Sequence, residues 1–142
     1  MSLQAIAYSS QATTGLSVHD MEAVALRAAN RNLQAGVSGI LLYDGSHFLQ
    51  YLEGPDESLS AVYSRILTSR RHHEIIELKR GRVGVRRFPQ HALQLLHVEP
   101  SVLRAAASSD WTGFTRRRSD AARPTGIDQL AALVAPQLDV LG

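Results

Sequence analysis

The 142-residue chain contains no cysteine. That excludes a disulfide framework, an iron–sulfur cluster and thiol catalysis. Lysine is almost missing as well. Lys79 stands alone, and the other basic residues are arginines, grouped at Arg70-Arg71, Arg80 to Arg87 and Arg116 to Arg118. The formal net charge is only +2, which argues against a dedicated nucleic-acid binder, so the arginines are taken as solvated faces and loop ends. No apolar run is long enough for a membrane helix. The opening Met1-Ser2-Leu3-Gln4 lacks the basic-then-apolar layout of a secretory signal. A cytoplasmic protein without a membrane partner is expected. Phosphate loops, dinucleotide glycine fingerprints and nucleophile elbows are also absent.

The rest of the composition is ordinary, with 44% apolar and 20% charged residues. The length suits one domain plus a modest extension. Leu3 to Ser10 predicts a first strand. Ser17 has the character of a helix N-cap, with Asp20 and Glu22 at the positive end of the dipole. Met21, Val24, Ala25, Ala28 and Ala29 follow helical spacing toward Asn32, and Gly36 stops the helix. Val37 to Tyr43 is a near-continuous apolar run, hence a buried strand. Asp44-Gly45 signals a hairpin turn, and Phe48 to Leu52 returns from it. Pro55 suits a helix's first turn, and Leu59, Val62, Ile66 and Leu67 mark a second helix over Ser58 to Leu67. A fourth strand is expected in two pieces, Ile75–Leu78 and Val83–Val85, broken at Gly81. A fifth is expected over Ala92–Val98. The order β-α-β-β-α-β-β predicts an α+β, ferredoxin-like sandwich: a mixed five-stranded sheet with two helices on one face.

After Glu99-Pro100 the composition shifts. Val102–Ala107 predicts a short helix, Trp111–Thr125 a loop, and Ile127–Leu138 an amphipathic helix with Leu130, Leu133, Val134 and Leu138 on one stripe. The expected division is residues 1–99 as the main domain and 100–142 as a helical extension.

Among single residues, the adjacent His72-His73 pair is a poor metal site, because sequence neighbours rarely face one ion; no metal is expected. His19, His47, His91 and His97 are scattered. More pointed is a set of uncharged polar groups: Tyr8 in the first strand, Asn32 at the end of the first helix, and Gln50 inside an apolar strand. Alternation puts Gln50 on the face of Phe48 and Leu52. An amide there is costly to bury unless its hydrogen bonds are met. The residues alone leave open whether backbone, solvent or a ligand meets them.

The stretch Gly36-Val37-Ser38-Gly39-Ile40-Leu41-Leu42-Tyr43-Asp44-Gly45, followed by Phe48-Leu49-Gln50-Tyr51-Leu52-Glu53-Gly54, resembles the core signature of BLUF domains. So do Ala7-Tyr8-Ser9-Ser10, Tyr63-Ser64-Arg65-Ile66 with Arg71-His72-His73, and Arg86-Arg87-Phe88. Gly113-Phe114-Thr115 and the last helix resemble the tail of short stand-alone members. The resemblance implies a blue-light photoreceptor, not an enzyme, that holds a flavin noncovalently between its two helices. FAD is the usual flavin, with FMN or riboflavin accepted. It implies Tyr8 and Gln50 as the photoactive pair. It also implies Asn32 and Arg65 near the polar edge of the ring, Arg31 stacked beside it, and Ile40, Leu41 and Ile66 as apolar contacts. Output is then expected through a downstream signalling protein or a homo-oligomer.

One departure stands out. Where the family usually has Trp and then Met in the fifth strand, this chain has His91 and Leu93. Leu93 replaces the volume of Met but not its thioether, and His91 introduces a titratable ring. Relay through these two residues is therefore the step the departure touches. Two other classes are weighed against the sensor: a flavin-dependent enzyme, and a ferredoxin-like interaction module without cofactor. No substrate-activating acid or base stands near Tyr8, Asn32 and Gln50, which weighs against the first.

Overall fold

A computed structural model describes residues 3–13, 16–111 and 125–141, with side chains in the last stretch to residue 135. The Arg116 to Arg118 cluster, Gly113-Phe114-Thr115 and the side chain of Leu138 lie outside the described residues. In chain order the elements are β1 (Leu3–Ala12), α1 (Val18–Ala35), β2 (Ser38–Tyr43), β3 (His47–Pro55), α2 (Asp56–Leu67), β4 (His72–Val83), β5 (Gln94–His97), α3 (Pro100–Ala107) and α4 (Gly126–Leu141). The five strands form one sheet in the order β4-β1-β3-β2-β5. All neighbours are antiparallel except β2 and β5, which run parallel. This is the ferredoxin-like α+β arrangement that the element order predicts.

Local chemistry sets the ends of the helices. Ser17 caps α1 through a reciprocal pair: its hydroxyl accepts from the Asp20 amide, and the Asp20 carboxylate accepts from the Ser17 amide. Gly36 closes the same helix with φ +73°, a left-handed conformation that glycine adopts without a Cβ penalty. Asp44 holds the β2–β3 turn by accepting from the amides of Ser46 and His47.

Three boundaries differ from expectation. β4 is one uninterrupted strand, because Gly81 pairs with Ala5 in the ladder; the register slips instead between Ala7 and Tyr8 and again between Ser9 and Gln11. Val85 lies beyond its end, and β5 is shorter than the seven-residue span expected. α2 starts at Asp56, with Pro55 ending β3 and standing at the N-cap rather than within the first turn.

The sheet is covered on both faces. On the front, Ile6, Tyr8 and Leu52 pack with Leu59 and Tyr63 of α2, while Leu41, Phe48 and Met21 pack beneath α1. On the back, Ala5, Ala7, Ile40, Leu42, Leu49 and Tyr51 share a core with Leu103 and Ala106 of α3 and Ile127, Leu130 and Val134 of α4. The extension after residue 99 thus closes the second face of the sheet. Trp111 is sealed into this back core, and its indole N–H donates to the Ala106 carbonyl at 3.0 Å.

Candidate functional site

Between α1 and α2, over the front of β1, β2 and β3, lies a cavity of about 400 Å³, within the range of small-molecule sites. Its helical walls are apolar and partly small: Met21, Val24, Ala25 and Ala28 from α1, and Val62 and Ile66 from α2. Leu41, Phe48 and Leu93 complete the apolar lining. The polar groups are few: Tyr8 and Gln50 on neighbouring strands, Asn32 at the end of α1, and Thr68, Ser69 and His72 past α2. Arg31, Arg65 and Arg71 also border the cavity, and among the described residues no carboxylate does.

Strand register brings the photoactive candidates together. Tyr8 and Gln50 are direct antiparallel partners on β1 and β3. The Tyr8 hydroxyl donates to Gln50 Oε1, and both side chains are buried. Burial, with Tyr63 adding to it, pushes the Tyr8 phenol well above its ordinary value near 10. Tyr8 is therefore a neutral donor at any physiological pH. With the phenol donating, the amide stands with its oxygen toward Tyr8 and its NH₂ at the other end.

Asn32 is also buried, and its Nδ2 donates to the Ala92 carbonyl at 2.9 Å. This bond ties the end of α1 to the residue just before Leu93. One N–H and Oδ1 of the amide remain for a ligand. Behind Tyr8, the His72 ring bonds at both nitrogens. Nδ1 meets the Ser10 hydroxyl at 2.7 Å and Nε2 meets the Ile66 carbonyl at 2.9 Å. A carbonyl can only accept, so Nε2 carries a proton and donates to Ile66, while Nδ1 pairs with a hydroxyl that can donate or accept.

Of the residues singled out by sequence, Tyr8, Arg31, Asn32, Leu41, Gln50, Arg65, Ile66 and Leu93 border this one cavity. Ile40 does not. It is fully buried on the opposite face, in the core shared with α3 and α4. Adjacent residues of a strand point to opposite sides, so Ile40 and Leu41 cannot both face the same cavity. His91 also stays off the cavity wall. Its carbonyl accepts from the Gly39 amide at 2.9 Å, and its Nε2 is buried with no hydrogen-bond partner among the described residues. Sequence reasoning missed Met21, Val24, Ala25, Ala28, Phe48, Val62, Thr68, Ser69, Arg71 and His72 as lining residues. For the α1 group the signal was present in the helical spacing.

Residues 3–94 match the family of BLUF proteins, sensors of blue-light using FAD. The chain belongs to the BLUF family. It is 35% identical over 124 residues to the blue light- and temperature-regulated antirepressor BluF of Escherichia coli K12, covering 84% of this chain and 31% of that protein. The dark-state structure of BlrB, a BLUF protein, is 28% identical, with a TM-score of 0.72 over 93% of this chain and 97% of that one. Klebsiella pneumoniae BlrP1, solved with FMN and cyclic diGMP, is 36% identical, with a TM-score of 0.63 over 67% of this chain and 26% of that one. The chain spans less than a third of the length of BluF and BlrP1. What the family match covers, residues 3–94, is a flavin-binding blue-light sensor domain.

The residues present fit a flavin. A flat heteroaromatic ring needs apolar faces, and the small side chains of Ala25 and Ala28 leave room for one against α1. Its carbonyl and imide edge needs amides, which Gln50 and Asn32 supply. An anionic tail suits a border that holds three arginines and, among the described residues, no acid. Among the described residues no group of His, Asp and Glu is arranged to hold a metal ion, and no helix is long and apolar enough to cross a membrane.

Proposed function

We propose that this BLUF chain is a light switch in which Tyr8 and Gln50 form the moving part, and that it passes the signal to a separate protein. The Tyr8–Gln50 hydrogen bond at the cavity wall carries this reading. A bound flavin supplies a strong oxidant when it absorbs blue light. Tyr8 is the one phenol on the cavity wall among the described residues, and its proton already points at Gln50. Losing an electron makes the phenol strongly acidic, so the proton leaves along that bond. When the phenol is restored, the amide can settle in the reversed orientation, with Nε2 toward the Tyr8 oxygen and Oε1 toward the cavity. An amide swaps donor and acceptor by rotation without burying a charge. Two arrangements of one side chain then bias the packing around it, which makes a two-state element.

Asn32 and Arg65 hold the polar edge of the flavin in this reading, Arg31 stacks beside the ring, and Leu41 and Ile66 contact it. FAD is the native flavin, consistent with the three arginines, and the setting is cytoplasmic. Leu93, just before β5, stands on the cavity wall, and Leu96 within β5 lies in the back core. β5 is therefore the route from the switch to α3 and α4, whose outer faces offer a docking surface for the partner or for a second copy. Illumination of purified protein should produce a reversible red shift of the flavin band. Gln50→Leu should keep the pigment and lose the shift. A shift that persists in Gln50→Leu refutes the assignment of the switch.

A further inference from the structure

Tyr8 has a second aromatic neighbour that the switch does not use. Tyr63, on α2, packs against it with ring centroids 5.9 Å apart, tilted by 45°. Tyr63 does not border the cavity, and it is buried. The register of β1 against β4 sets Glu77 directly across from Tyr8; after burial, the Glu77 carboxylate is the next cause that raises the Tyr63 phenol above its ordinary value. Arg80, also on β4, lies over the Tyr63 ring with its guanidinium carbon 5.7 Å from the centroid.

The two phenols differ in what can take their proton. Tyr8 donates to a neutral amide, a very weak base. Tyr63 has the exposed Glu77 carboxylate in its surroundings, a far stronger one. A hole formed on Tyr8 is thus poorly stabilised where it arises and better stabilised one ring away. The Arg80 cation adds a condition: it repels positive charge on the ring beneath it. Tyr63 therefore cannot stop at a radical cation, and its electron and proton have to leave together.

Resting on the reading above, we propose that Tyr63 is a second redox-active phenol, which refills oxidised Tyr8 and gives its own proton to Glu77. In balance, the Tyr8 radical cation gains one electron and returns to the neutral phenol. Tyr63 loses that electron and becomes a neutral radical, and its hydroxyl proton moves to the Glu77 carboxylate. The oxidant that created the hole is the light-excited flavin, which keeps the electron it took from Tyr8. This transfer leaves Gln50 unflipped, so it is a branch that drains the switch.

The test uses the 142-residue chain, loaded with FAD and carrying 3-fluorotyrosine at position 63, illuminated and frozen. Electron paramagnetic resonance should show a tyrosyl signal with fluorine splitting. The signal should vanish in Tyr8→Phe, because the hole must pass through Tyr8. It should vanish in Glu77→Gln, which keeps the Tyr63 ring but removes the base. Tyr63→Phe, a change of one oxygen, should raise the yield of the red-shifted form per absorbed photon. A tyrosyl signal without fluorine splitting overturns the proposal, and so does a split signal that survives in Tyr8→Phe. If the red shift forms normally in those samples, the switch assignment stands and only the branch is lost. Protein that takes up no flavin overturns both.

Discussion

Glu53 offers the sharpest test of how the fold is held together. It sits on the back of β3 with no exposed surface. Its Oε1 accepts from the Tyr51 hydroxyl at 2.9 Å and the Arg87 amide at 2.8 Å. Its Oε2 accepts from the Phe88 amide at 2.8 Å and the Ser38 hydroxyl at 3.2 Å. Arg86 completes the knot, donating to Ser38 Oγ at 2.9 Å and to the Gly36 carbonyl at 2.6 Å. One carboxylate thus pins the segment between β4 and β5 to the strand that carries Gln50. In Glu53→Ala the two hydroxyls can turn to other acceptors, but the Arg87 and Phe88 amides are fixed by the backbone. Each stranded donor costs about 1–3 kcal/mol, so the expected loss is about 3–5 kcal/mol, in line with other broken buried charge networks. That is a large part of the roughly 5–15 kcal/mol available to a whole domain. Glu53→Gln keeps the volume but has one oxygen for the two amides, so it should lose about 1–3 kcal/mol. Urea unfolding followed by the fluorescence of Trp111, the single tryptophan, measures both, with the m-value as a check on the reference state. A loss below about 1 kcal/mol for Glu53→Ala, the range of ordinary substitutions, refutes the reasoning.

Two further outcomes follow from packing and burial. Burial raises the phenols of Tyr8 and Tyr51 above their ordinary value of 10.0, with Tyr63 and Glu53 respectively adding to the effect. Both tyrosines stay protonated in the folded protein, whereas the unfolded chain ionises them near 10. Their contribution is therefore complete below about pH 10 and declines above it, by up to about 1.4 kcal/mol per pH unit for each group. Unfolding free energies measured from neutral to alkaline pH should bend downward there, less so in Tyr8→Phe and in Tyr51→Phe; a flat profile contradicts the burial argument. In the tail, a Cβ on Gly126 would come within 2.1 Å of the Trp111 indole, so Gly126→Ala should cost about 1–3 kcal/mol by overpacking. Because α4 packs on the face away from the cavity, flavin affinity in that variant should be unchanged, as equilibrium titration of the two proteins can check.

The architecture was largely legible because its punctuation is chemical. Ser17, Gly36 and Asp44-Gly45 each specify a cap or a turn whatever lies around them, and the structure places a helix start, a helix end and a hairpin there. Gln50 was legible for a similar reason: an amide amid apolar residues needs partners, and alternation put it beside Phe48, which shares the cavity wall. The misplacement of Ile40 has a clear cause. β2 is buried along its whole length, Ser38 to Tyr43, so its apolar pattern does not distinguish front from back. Ile40 was carried to the flavin with Leu41 by family likeness, although the two-residue period of a strand forbids that pairing. His72 failed in the opposite direction. As a residue after a helix it had no period to read, and only the long pairing of β4 on β1, from His72 opposite Ala12, turns it toward Ser10 and the cavity. Sequence therefore located the groups whose chemistry is local. The groups placed by strand register, Glu77 across from Tyr8 and Glu53 beneath Arg87 and Phe88, required the sheet itself. A buried or facing carboxylate acquires its role from what the neighbouring strand sets against it, and that information lies in pairing rather than in any window of sequence.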